Sequence, residues 1–466
     1  MAEASPTVKH GKAGLTVPEI FAGASPFAVE RAARRLRSRL RHDRWLASTN
    51  IYLHQAPGVV KEQFEHLGKP QAPVVLAAGT LEASQLAESI AASTILHCAD
   101  GWSYLGRAMA AQLRGDSSTS RHLAYYAELR AAASLLASQG IGMFAGPHVI
   151  LKESNDVEIF RQYGTHQFAW LALAQWTDLS QSVDLLGSVI QPADAALADW
   201  LVPLGGGGLW QETGREYLHT WGLDVERFGR DREARNDSSY QPRTAFGASP
   251  PSSRRAAEFG TDLWRLFEPS GATSFGTIDR YLLRRIMKRL FEARTGESSD
   301  ENPDSYRAFF GNSLDTLQTS ESPEQLTRFL SGESFPEEPP LFAEAEQDSN
   351  VTDSEDHLQV TARAALLLRV ASGAAQHLLG QVRLSYPDYE WWGRQLAAGR
   401  AIAAEADDSL LTPALLWDDM EGAINGLDEK IAEGEGDSYV DLNARCAEEL
   451  TLLGGCERIA LWSLAA

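Results

Sequence analysis

Residues 84–115, SQLAESIAASTILHCADGWSYLGRAMAAQLRG, and residues 117–140, SSTSRHLAYYAELRAAASLLASQG, decide how the chain is read. Both are rich in alanine and leucine, which lose little on entering a helix, and both repeat apolar positions at helical spacing. Only the short polar break GDSS separates them. That is enough chain for a tight reversal and little else, so the pair is expected to form an antiparallel helical hairpin. Gly140 stands where the second helix should close, because glycine takes the left-handed backbone without a Cβ clash.

Working outward, the 466 residues suffice for two or three domains, each with its own core. Hydrophobic residues make up 44% and charged residues 23%, as in ordinary globular chains. No apolar run is long enough to span a bilayer, and MAEASPTVKHGKAG lacks an apolar signal core, so a cytoplasmic protein with no membrane role is expected. Cys98, Cys446 and Cys456 have no metal-ligand spacing, and no metal or cofactor is expected. The net charge is −21, but 31 of the 63 acidic residues and 10 of the 42 basic ones follow position 300. The first 300 residues are therefore neutral, and the last third carries the whole excess. Such a tail suits a solubilising face or a surface for a basic partner better than it suits phosphate.

The expected fold is mainly α, a helical bundle with a small β-hairpin insertion, followed by an acidic helical C-terminal domain. Residues 1–24 read as a flexible lead-in. Residues 25–84 read as a basic helical segment, with Ser25 as N-cap and Pro26 at the first helical position. Its arginines, Arg34, Arg35, Arg37 and Arg41 among them, serve either to bind phosphate or to pair with the acidic third. Residues 85–294 form the main helical domain. Within it HVILKE and VEIFRQ flank SND as a β-hairpin, and GTHQFAWLALAQWTDLSQSVDLL restarts helix with Thr165 as N-cap. PLGGGGLW (203–210) lacks the Lys-Ser/Thr of a phosphate loop and reads as a flexible turn. IDRYLLRRIMKRLFEAR (278–294) is a second basic amphipathic helix, with Arg284, Arg285 and Lys288 as phosphate-binding candidates. Residues 295–356, rich in Ser, Glu, Asp and Pro, read as an acidic linker, and 357–466 as a C-terminal helical domain.

The polar stretch DREARNDSSYQP (231–242) holds the chemistry. As a helix it places Arg232, Asn236 and Tyr240 on one face, with Arg235 and Ser239 on the neighbouring row. Guanidinium forks, an amide and a phenol can grip phosphate or ribose. The plainer alternative is a capping and turn segment. Arg243 follows directly. YYAELR (125–130) reads as core packing around a buried Glu–Arg arrangement. Among His122, His148, His166 and His219, His166 opens a helix just after the hairpin and is the candidate proton carrier. LWDDME (416–421) either holds magnesium or forms a solvated acidic face. The aromatic YPDYEWW (386–392) either stacks on bases or anchors a helix.

WGLD…DREARNDSSYQP, HLAYYAELRAAASLLASQGIGMF and GTHQFAW together resemble the YaaC-like branch of the HEPN superfamily, over roughly residues 85–250. The resemblance implies a helical bundle from bacterial conflict and anti-phage systems. It also implies metal-independent RNA cleavage by an Arg, often followed by Asn, and a His about five positions on, in a site assembled across a dimer. Arg235 and Asn236 match the first two positions, whereas Tyr240 stands where the His belongs. A phenol with an ordinary pKa near 10 is a poor base at neutral pH. The leading expectation is therefore a HEPN-like subunit with a degenerate motif, binding RNA or DNA and a protein partner or a second copy of itself. A metal-independent endoribonuclease using Arg235, Asn236 and Tyr240 or His166 is the second reading, and a structural scaffold the third.

Overall fold

The computed structural model describes residues 7–8, 15–40, 73–144, 147–161, 163–205, 213–240, 250–347, 356–388, 390, 393–394, 413–434 and 438–465. The hairpin forms as its sequence dictates. Helix Leu81–Gln112 starts at Thr80, whose hydroxyl accepts the Ala83 N–H, and helix Ser117–Ser138 starts at Asp116, whose carboxylate accepts the Thr119 N–H at 3.0 Å. These side chains satisfy amides that the first helical turn leaves without partners. Gly140 closes the second helix at φ +90°, where an added Cβ would crowd the Ser25 backbone. Ala-rich faces bring the two helices into close contact along their length.

The β insertion is larger than a hairpin. Strands β4 (His148–Leu151) and β5 (Val157–Phe160) pair antiparallel as expected, with Ile150 opposite Glu158. β3 (Ile141–Met143) extends one edge of this pair, and β2 (Val74–Leu76) the other. The two-residue β1 (Thr7–Val8) completes the order β1-β2-β5-β4-β3. Three-residue strands such as VVL and IGM carry too short a pattern to read as strands from sequence. The following helix, Thr165–Thr177, has Gly164 rather than Thr165 at its cap, and it breaks at Asp178 before Ser180–Val189 begins.

Helix Asp356–Gln381 sits at the centre and packs against both helices of the hairpin. Its two buried arginines each grip a buried aspartate from another helix. Arg363 holds Asp231 through two bonds of 2.8 and 2.7 Å, and Arg369 holds Asp279 of helix Gly276–Thr295 through two bonds of 2.7 and 2.6 Å. Paired guanidinium–carboxylate forks let both charges be buried, although an isolated one would be prohibitive there.

Three expectations need correction. The lead-in contains helix Val17–Gly23, fixed by a Thr16–Glu19 capping box and by buried Ile20 and Phe21. The supposed linker folds into helices Pro303–Thr316, Pro323–Leu330 and Pro340–Ala345, which bury Tyr306, Phe310, Leu326, Phe329, Leu341 and Phe342. Its acidic residues lie mostly on the exposed sides, so average composition concealed an amphipathic pattern. Nor does the chain beyond 357 form a body of its own. Residues from Ile20 to Leu464 belong to one continuous hydrophobic core.

Candidate nucleic-acid interface

Helix Arg227–Tyr240 is placed by its buried row, Phe228, Asp231 and Ala234. The Asp231–Arg363 fork fixes its rotation, and one turn later Arg235 emerges beside Ser117–Ser138. There Arg235 Nη2 donates to the Tyr126 hydroxyl, and Nη1 donates to Asn236 Oδ1 at 2.8 Å. Its guanidinium lies 5.1 Å from the Tyr126 ring centre and 5.8 Å from that of Tyr125. These contacts hold the planar cation in one orientation, half-buried, with its Nε unpartnered.

His166 reaches the same cluster from another helix. Its Nδ1 lies 2.8 Å from the Tyr125 hydroxyl, which also accepts Trp170 Nε1–H at 3.4 Å. The Tyr125 hydroxyl thus joins Trp170 to His166, and the direction of its bond to Nδ1 follows the imidazole tautomer. Burial, then Arg235, then Arg232 hold the His166 pKa below its usual value, so the ring is neutral at neutral pH. His122 packs on Tyr126 at 5.1 Å and is lowered likewise, first by burial and then by Arg235.

Tyr126 in turn stacks on Tyr104 at 5.4 Å, and Arg107 lies 4.2 Å from the Tyr104 ring centre. Arg130 flanks the same ring at 5.9 Å and pairs with Asp100 at 3.0 Å. Two stacked half-buried phenols edged by guanidinium groups make a surface suited to a nucleobase and its phosphate. Sequence reasoning missed the tyrosines. YYAELR is not simply core: Glu128 is buried against Arg363 and Asp231, whereas Tyr126 faces the cluster. Helical spacing, His122 to Tyr126 at four residues and Tyr104 to Arg107 at three, pairs these side chains but does not tell a cleft from a core.

The other candidates scatter. Tyr240 ends the helix, and its side chain lies outside the described residues, as do the side chain of Arg37 and the whole of Arg41 and Arg243. Arg232 lies near Glu233 at 3.8 Å. Arg34 pairs with Glu30 and Arg35 with Glu88, each at 3.6 Å. The second basic helix does not offer the cations expected of it. Arg284 is buried and donates to the Phe329 and Phe335 carbonyls, Arg285 binds the Thr220 carbonyl, Glu338 and Glu346, and Lys288 binds Asp300 at 2.8 Å. The acidic chain that follows occupies them.

His148 is wholly buried, its pKa held to about 4 by desolvation, and it stacks on Phe168 at 4.2 Å. His219 stands at a separate cleft with Arg285 and Lys288. Within LWDDME, Asp418, Asp419 and Glu421 are exposed, and Asp419 meets Arg458 at 3.2 Å. No group of three metal-ligating side chains occurs among the described residues. Most of PLGGGGLW, together with Tyr389, Trp391 and Trp392, lies outside them. No helix among them is long and apolar enough to cross a membrane. No family model, curated protein or solved structure matches this chain.

Proposed function

We propose that the protein binds RNA or DNA at the face formed by Tyr104, Tyr126 and Arg235, as a HEPN-like subunit of a bacterial anti-phage defence or conflict system. The defence setting rests on the resemblance over residues 85–250. The binding role rests chiefly on the partners of Arg235. Its guanidinium is held by a phenol and an amide and meets no carboxylate among the described residues. Arg284, Arg285, Arg363 and Arg369 are, by contrast, engaged by carboxylates or carbonyls. An oriented cation without a counter-charge, beside stacked aromatic rings, is what a phosphate next to a base would engage.

The test is binding of a labelled single-stranded RNA by the full chain at two salt concentrations. Affinity should fall as salt rises, and Arg235→Ala should lower both the affinity and the slope of log K against log salt, the latter by about 1. Equal affinity and slope in the variant would overturn the reading.

Cleavage is the second reading, favoured by two neutral imidazoles beside Arg235. His166 Nδ1 is engaged by the Tyr125 hydroxyl, which makes His122 the first imidazole to replace. RNA cleavage that persists in chelator and disappears in His122→Gln would establish it. Intact RNA after prolonged incubation would leave binding alone.

A further inference from the structure

We propose that the cleft between the start of helix Pro26–Leu40 and the ends of helices Ser117–Ser138 and Asp356–Gln381 binds a small organic cation, an ammonium carried on an aliphatic body. The cleft has a volume of about 600 Å³, in the range of ligand pockets, and shares no residue with the tyrosine–arginine face. Its walls are apolar, formed in part by Leu185, Leu378 and Phe27, the last 66% exposed at the rim.

Every charged side chain lining the cleft is acidic: Glu30, Glu153 and Asp184. Arg31 and Ser25 bind Glu153, and Glu30 stands 3.6 Å from Arg34. Asp184 is exposed and carries no ion pair among the described residues. Backbone charge adds to this. Gln139 caps the C-terminal end of a 22-residue helix, and Gly23 ends another. Carbonyl ends of helices carry partial negative charge and favour a cation. Two helix starts also border the cleft: that at Pro26 has its Ala28 N–H taken by Ser25, and that of Ser180–Val189 places Gln181 in its first turn and the carboxylate of Asp184 one turn on.

An independent observation lies in Gln139. It lines the cleft, is 5% exposed, and donates from Nε2 to Ser138 Oγ at 3.0 Å, yet its Oε1 accepts no hydrogen bond. A buried amide oxygen left without a donor is destabilising, and an ammonium N–H supplies the missing donor. Acidic lining and helix C-termini disfavour an anion, and the apolar walls disfavour a bare inorganic cation, which would forfeit its hydration.

The experiment is titration calorimetry of the full chain with 1,6-diaminohexane and with 1,6-hexanediol, which has the same body without charge. The diamine should bind one to one and the diol should not. The paired variant Glu30→Gln/Asp184→Asn should weaken the diamine by about tenfold or more, the loss expected for charge-assisted bonds. Gln139→Leu should weaken it as well. The pair Asp418→Asn/Asp419→Asn, on a different acidic helix, should leave affinity unchanged and so report non-specific attraction to an acidic protein. Absence of diamine binding, equal binding of the diol, an affinity unmoved by the cleft variants, or an equal loss in the control pair would each overturn the proposal.

Discussion

At the scale of single residues, the protein separates charges that fasten the fold from one left facing outward. Arg363 and Arg369 are fully buried, and each holds its aspartate through two bonds. Removing one partner from such a pair strands the other charge, so Arg369→Met should destabilise the protein by about 3–5 kcal/mol in urea unfolding. Replacing Arg369 and Asp279 together by apolar residues should restore much of that loss. Glu128 makes a sharper case. Burial, then the neighbouring Asp231, raises its pKa well above the ordinary 4.5 despite Arg363 nearby. Because the folded value exceeds the unfolded one, the protonated form is the one the fold favours. Its contribution is complete below the unfolded pKa and declines as pH rises from there toward the folded value. Glu128→Gln keeps the neutral shape, so its melting temperature should gain on wild type as pH rises above the ordinary glutamate value, and a constant gap would refute this. Arg235, Asn236 and His166 could be singled out from sequence because their chemistry is conspicuous. Tyr126 and Tyr104 could not, because a tyrosine at helical spacing looks the same whether it faces a core or a cleft.

At the scale of elements, periodicity was a better guide than composition. The hairpin and its closing Gly140 are readable because alanine-rich helices with polar breaks have few alternatives, whereas the N-caps Thr80 and Asp116 are found only in the structure. The region 295–356 reads as a linker because serine, glutamate, aspartate and proline weigh on its average, although three of its five prolines open helices and the apolar residues share one side. Prolines at 303, 323 and 340 occupy first helical positions. Close approach between elements is equally hidden. A Cβ at Gly106 would overlap the Gly454 carbonyl, and one at Gly373 would meet the Val189 side chain. Gly106→Val should therefore push the 447–453 helix away from Leu81–Gln112, lowering the melting temperature and speeding hydrogen exchange around Gly454. Unchanged exchange there would show that the contact is not tight.

At the scale of the whole molecule, part of the acid after residue 300 is matched by arginines from before it. Glu321 meets Arg280, Glu338 and Glu346 meet Arg285, Glu344 meets Arg255, and Asp428 meets Arg265. The charge asymmetry visible in the sequence is thus partly a record of contacts between its two parts, which a one-dimensional count cannot show. Since helix Asp356–Gln381 fills the middle of a continuous core, a chain ending near residue 300 should not fold. It should lack near-ultraviolet dichroism and a cooperative melt, whereas the full chain should melt in one transition. A cooperative melt of the shortened chain would restore the two-domain reading.

Whether nucleic acid lies on the Tyr104–Tyr126–Arg235 face is decided by ultraviolet cross-linking of the full chain to a single-stranded RNA, followed by peptide mapping. Adducts are expected on the peptides bearing Tyr104 or Tyr126, and they should be lost in Arg235→Ala. Adducts confined to the 26–40 or 276–295 helices, or a pattern indifferent to Arg235, would contradict it.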